Sequence, residues 1–135
     1  MSSLAIVFEI GETSCALPAG SMREILEEGY VAPAPMAPAS IEGVLNRMGQ
    51  LYVVFDLGSL VGIALEKRQK LLLFGHDQYS FAAWVDEVLG VADMDTQRVA
   101  HETALPFQAG ALRFGDRVVP CLDPEALFKH VDDLI

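Results

Sequence analysis

The sequence predicts a mainly β protein, a small barrel or sandwich with a few short helices and not an α/β sheet. Three observations predict it. Short apolar stretches alternate with polar residues at the period of two that a half-buried strand requires. Glycines at 11, 49, 75 and 115 punctuate these stretches as turns. Only two or three segments carry helical signals. A chain of 135 residues makes one domain, or two small subdomains sharing a core. At this size about two thirds of the unfolded surface can be buried on folding, so neither metal nor disulfide is needed. Two similar half-barrels, divided near residues 62–70, suit the strand spacing. The polar run Glu66-Lys67-Arg68-Gln69-Lys70 would be a surface crossover.

Each element has a local reason. Leu4, Ile6, Phe8 and Ile10 alternate as a first strand, and Gly11-Glu12 turns it into a second over Ser14–Leu17, which Pro18 ends. Ser21 stands three residues before Glu24, with Met22, Ile25 and Leu26 apolar, which predicts a capping box opening a short helix. Prolines at 33, 35 and 38 forbid a helix over residues 32–40 and predict an extended connector. Ile41–Asn46 leads through Gly49-Gln50 into a buried strand over Leu51–Leu57. Leu71–Phe74 is a further strand, with Gly75-His76-Asp77-Gln78 as its turn. In the returning strand Tyr79, Phe81, Ala83 and Val85 face one way, and Ser80, Ala82, Trp84 and Asp86 the other. Gly115-Asp116 joins Leu112–Phe114 to Arg117–Leu122 as a hairpin. The chain closes on a helix with Asp123 as N-cap, Pro124 at its first position, and Leu127, Val131 and Leu134 on one face.

Composition narrows the function. Nine Lys and Arg against nineteen Asp and Glu give a net charge of −10. That excess argues against nucleic acid and against an anionic membrane surface, and favours another protein as partner. No run reaches the roughly 18 apolar residues of a membrane helix, so no direct membrane insertion is expected. Met1-Ser2-Ser3-Leu4 has no basic region, so no secretory signal is expected, and Cys15 and Cys121 read as reduced, buried thiols of a cytoplasmic protein. His76, His101 and His130 lack metal-ligand spacing, and Ser59 lacks the glycine frame of a nucleophile. There is no phosphate-binding glycine loop and no paired carboxylate. The expectation is a protein with no catalytic residue, no cofactor and no metal.

Residues 41–57, Ile-Glu-Gly-Val-Leu-Asn-Arg-Met-Gly-Gln-Leu-Tyr-Val-Val-Phe-Asp-Leu, resemble the signature I-x-G-V-x-N-L-R-G-x-x-x-P-V-x-D-L of the CheW coupling-protein family. Collinear pieces extend the resemblance over nearly the whole chain. They are Phe8-Glu9-Ile10, Cys15-Ala16-Leu17-Pro18, Met22-Arg23-Glu24-Ile25, the loop prolines 35 and 38, Trp84-Val85-Asp86-Glu87-Val88, and Gly110 through Val119 with Leu122-Asp123 and Leu127. The resemblance implies two small five-stranded, SH3-like β-barrels around a shared apolar core, forming a single domain over 1–135. It implies a non-enzymatic adaptor that couples the tips of methyl-accepting chemoreceptors to the regulatory domain of a CheA-type histidine kinase. The residues it singles out for partner binding are Met22, Glu24, Asn46 and Arg47. Met48 joins them as the residue standing where the family has arginine. Trp84, on the second face of its strand, is a candidate partner anchor in its own right, because tryptophan is enriched at hot spots.

The chain departs from the signature in two places. The family's L-R-G is here Arg47-Met48-Gly49, and Val53 replaces the usual proline. A one-residue shift in an extended segment sends a side chain to the opposite face unless a bulge restores it. The departures leave room for a divergent coupling protein of a pilus or other non-flagellar pathway. The competing reading is a small ligand-binding β-barrel or enzyme, which would show a deep polar-lined pocket. Each site residue also has a plain structural role open to it. Met22 would fill the core, Glu24 would cap a helix, Asn46 would bond its own turn, and Trp84 would be covered by the other half-barrel.

Overall fold

The computed structural model describes residues 3–76, 78–100 and 102–135, with His76 described by its backbone alone. Met1, Ser2, Asp77 of the expected turn, and His101 lie outside the described residues. In chain order the elements are β1 (Leu4–Ile10), β2 (Thr13–Pro18), β3 (Met22–Leu26), β4 (Ala32–Pro33), β5 (Ile41–Arg47), β6 (Gln50–Phe55), α1 (Leu57–Val61), β7 (Lys70–His76), β8 (Tyr79–Val85), β9 (Glu87–Asp93), β10 (Arg98–Val99), β11 (Gln108–Phe114), β12 (Arg117–Leu122) and α2 (Pro124–Leu134). The fold is mainly β, with two six-stranded sheets ordered β10-β11-β12-β2-β1-β9 and β3-β7-β8-β6-β5-β4.

The two sheets share one plan. A lone strand (β9 or β3) lies beside a hairpin (β1–β2 or β7–β8). That hairpin meets a second one (β12–β11 or β6–β5) through a parallel contact, and a two-residue strand (β10 or β4) ends the row. Each sheet has six strands where the resemblance implies five: five are long, and the sixth is a two-residue fragment too short to leave a period in the sequence. Along the chain the second sheet reads β3, β4, β5, β6, α1, β7, β8. The first reads β9, β10, β11, β12, α2, and is completed by β1 and β2 from the other end. Both helices start at an aspartate N-cap: Asp56 accepts from the Ser59 N–H and Asp123 from the Glu125 N–H. Residues 62–69 lie between α1 and β7, which starts at Lys70, within the run that builds the second sheet. The chain changes sheets after β2 and after β8.

Alternation sorts the apolar residues into three clusters. Ala5, Val7, Ala16, Ala92, Leu112, Val119 and Cys121 come from first-sheet strands alone. Leu45, Tyr52, Val54, Leu71, Leu73 and Ala82 come from the second alone. The largest cluster joins both sheets and both helices, with Phe8, Ile10, Leu17, Phe55, Phe74, Phe81, Leu127, Phe128 and Val131 among its members. Each such side chain contributes about 1.5–3 kcal/mol on burial. Both sheets curl around their own clusters. Arg47 of β5 bonds Glu24 of β3 across the second sheet's row. In the first sheet a Cβ on Gly90 of β9 would lie 3.3 Å from the Phe114 ring of β11. Among the described residues no strand pairing closes either ring.

Some local expectations fail for tertiary reasons. Residues 22–26 are strand β3, not a helix, and Ser21 ends a 3-10 turn over Ala19–Ser21 whose N-cap is Pro18. The free edge of β7 takes Met22–Leu26 as an antiparallel neighbour, which outweighs the capping pattern. Gly75 lies inside β7 and makes no turn. The strand expected over Leu51–Leu57 runs Gln50–Phe55, with Leu51 exposed inside it and Leu57 starting α1. The two thiols are free and buried, on opposite faces of adjacent strands, and burial pushes Cys15 up to about 12.

Asp86 holds the return crossing. It is 4% exposed, between β8 and β9. Its carboxylate accepts from the N–H groups of Gly11 (2.5 Å), Glu66 (3.0 Å), Lys67 (2.7 Å) and Arg68 (2.8 Å). Its own N–H donates to the Glu9 carbonyl at 2.9 Å. Burial pushes this carboxyl's pKa up, and the Arg68, Glu66, Gly11 and Lys67 amides together pull it below the usual range. A lowered folded value stabilises the protein above the unfolded value of about 3.9, and that stability is lost as pH falls through the folded value. Asp86→Asn is expected to cost about 2 kcal/mol or more at neutral pH. In urea unfolding, the gap to wild type should narrow on acidification below about pH 4. A gap independent of pH would refute the charge as its source.

Candidate functional site

The best-defined polar feature of the surface lies where β3 and β5 come together. Arg47 grips Glu24 with two nitrogens, Nη2 to Oε2 at 2.5 Å and Nε to Oε1 at 3.2 Å. This is the fork geometry that a guanidinium offers a carboxylate. The hydrogen bond from Arg47 holds Glu24 below the usual carboxylate range, and Glu24 raises Arg47 in return. The shifted arginine therefore reaches an acidic partner with no bulge at its own position, because Arg47 pairs regularly with Gln50 across the hairpin.

The β5–β6 hairpin turns through Met48 and Gly49, whose φ angles of 53° and 89° make a two-residue turn of the I′ kind. Asn46 braces it, its Oδ1 accepting the Gly49 N–H at 2.9 Å. Met48 is 91% exposed and sits in left-handed backbone that a side-chain-bearing residue rarely adopts. Tyr30 and Leu51 are exposed nearby and, with Leu26, Leu45 and Arg47, line an open depression of about 420 Å³.

Glu24 and Arg47 thus meet next to the hairpin turn that carries Asn46 and Met48. Met22 does not join them. A β-bulge between Met22 and Glu24 breaks the alternation, and Met22 packs half-buried against the shared core. Trp84 also lies elsewhere. Alternation puts it opposite Phe81, Ala83 and Val85 as expected, but its face is covered by its own sheet, where it packs with Leu26 and Val31 against the second sheet's cluster.

Arg23 is the residue the sequence reading missed. Its Nη1 donates to Tyr52 Oη at 3.2 Å and Ser80 Oγ at 3.1 Å, and its guanidinium lies 5.7 Å from the Tyr52 ring centroid. It rests on Gly75, where a Cβ would come within 1.9 Å of its Nε. The signal was a glycine inside an apolar strand, which marks a close approach. No cluster of His, Cys, Asp and Glu fit for a metal occurs among the described residues.

A family model described as a CheW-like domain matches residues 4–132. The curated Chemotaxis protein CheW of Thermotoga maritima is 28% identical over 86 residues, which cover 62% of this chain. The match spans 57% of that relative's length. The crystal structure of the scaffolding protein TtCheW from Thermoanaerobacter tengcongensis superposes with a TM-score of 0.79 at 21% identity, over 91% of this chain and 90% of that one, and shows the same fold.

Met48→Asn should raise stability by about 1 kcal/mol in chemical unfolding, because asparagine tolerates the left-handed turn position better. Arg47→Ala should leave the thermal midpoint nearly unchanged, since a solvated ion pair contributes little. A large drop in the midpoint would show that the pair serves the fold.

Proposed function

The chain belongs to the CheW-like domain family, and from that premise we propose that it is a non-enzymatic adaptor of chemotaxis-type signalling. In this reading it couples chemoreceptor tips to the regulatory domain of a CheA-type histidine kinase. The observation that carries the assignment of a docking face is Met48. An apolar side chain almost fully in water, held in unfavourable backbone at a hairpin tip, contributes nothing to the core and costs the turn stability. Exposed apolar groups beside a preorganised ion pair suit a protein partner. Glu24, Arg47 and Met48 would make the contact, with Asn46 positioning the turn. Met22 and Trp84 would act from beneath, by fixing β3 and β8.

The finer architecture belongs to the same proposal. Residues 1–135 form one unit of two interleaved barrel-like subdomains, each of five long strands, meeting at the shared cluster. No helix among the described residues is long and apolar enough to cross a membrane. The proposed partners place the adaptor in the cytoplasm.

Titration calorimetry against the regulatory domain of the CheA-type kinase from the same organism tests the reading. Micromolar binding is expected, with Met48→Asn and Arg47→Glu each weakening it by about tenfold. Because Met48→Asn should fold better than wild type, a loss of affinity there cannot come from unfolding. No binding by the wild type, or equal binding by all three, would overturn the assignment.

A further inference from the structure

Glu24 reaches Arg47 from an irregular strand. Met22 stands opposite Phe74 and Glu24 opposite Leu73, which leaves Arg23 as the extra residue of the β3 bulge. The bulge sets which way Glu24 points. Phe74 and Leu72 belong to the shared cluster, and Leu73 to the second sheet's own cluster. In regular pairing from Met22 onward, Glu24 would stand opposite Leu72 and turn toward the shared cluster. With the bulge it stands opposite Leu73, on the side where Arg47 follows Leu45 along β5.

The extra residue is held by its own side chain. Arg23 Nη1 donates to Tyr52 Oη and Ser80 Oγ, which ties β3 to β6 and β8. Its guanidinium lies on Gly75 of β7, the residue after Phe74, and the three atoms nearest a Cβ built there are all its own. The φ of Gly75 is not positive, so the backbone itself would accept alanine. The glycine is there to seat Arg23. Both acceptors of Arg23 are uncharged. Bonded to them, its guanidinium is turned away from the neighbouring carboxylate, and Glu24 is left to the fork of Arg47.

We propose that Arg23 is a positioning residue for the docking face: seated on Gly75, it holds the bulge that aims Glu24 at Arg47. Its part in docking rests on the adaptor reading above. Fixing the ion pair before the partner arrives lowers the ordering cost of binding.

The test reads the Arg47 Nε–H resonance in the isotope-labelled full chain, identified by its loss in Arg47→Ala. In the wild type the bond to Glu24 should keep this proton resolved and slow to exchange with water. Arg23→Ala should shift it to the position of a free guanidinium, with the amide fingerprint of the first sheet unchanged. Gly75→Ala should do the same, because it unseats Arg23 and sets two guanidinium groups in competition for one carboxylate. In the Arg23→Ala background, Gly75→Ala should add no further change. A loss of strand stability alone would not produce that pattern. An unmoved Arg47 resonance in Arg23→Ala overturns the proposal. So does an equal effect of Gly75→Ala with and without Arg23, by showing that the glycine serves its own backbone. Calorimetry against the regulatory domain of the kinase tests the docking role. Arg23→Ala should weaken binding about threefold or more. Unchanged affinity alongside a shifted resonance would overturn that role alone. Absence of wild-type binding would overturn the adaptor reading and the docking role with it.

Discussion

A buried carboxylate bonded to four backbone amides governs how this chain is put together. Asp86 stands where the chain returns to the first sheet, and its oxygens reach the turn after β1 and the loop before β7 at once. Each of those N–H groups lies where no strand can satisfy it. Without the carboxylate, several buried or half-buried donors would lack partners, and the return crossing would have no fixed angle. The shared apolar cluster can then form because both sheets present their inner faces in one orientation. Packing supplies most of the stability, while Asp86 sets the geometry in which packing is possible.

Much of this was legible in the sequence. The strands around Phe8 and Phe81 follow from alternation, the one around Val119 from the Gly115-Asp116 hairpin signal, and α2 from Asp123-Pro124, because these signals are local and agree with the tertiary structure. The failures share a cause. Ser21 and Glu24 form a sound local capping pattern, but the unpaired edge of β7 lay about fifty residues away and claimed the segment. Gly75 looked like a turn because its reason, the Arg23 side chain resting on it, sits on another strand.

The candidate site divides in the same way. The motif marked Glu24 and Arg47, but not that they would bond each other, since their strands lie far apart in the sheet order and meet only because the sheet curls. The face of Trp84 was legible from alternation. Its packing against the second sheet's own cluster was not, because that depends on how strongly one sheet bends on itself.

The order of strands along the chain also bears on synthesis from the N-terminus. The second sheet is built from residues 22–85 without interruption, so it can assemble while later residues are still being added. The first sheet cannot. Its β1–β2 hairpin emerges before the second sheet but must wait for β9 to β12, carrying Ala5, Val7 and Ala16 uncovered on its other face until the last third of the chain arrives. A hairpin made before the second sheet is thus completed after it. During that interval the nascent chain displays a sticky apolar hairpin, which is the period in which a chaperone would find it.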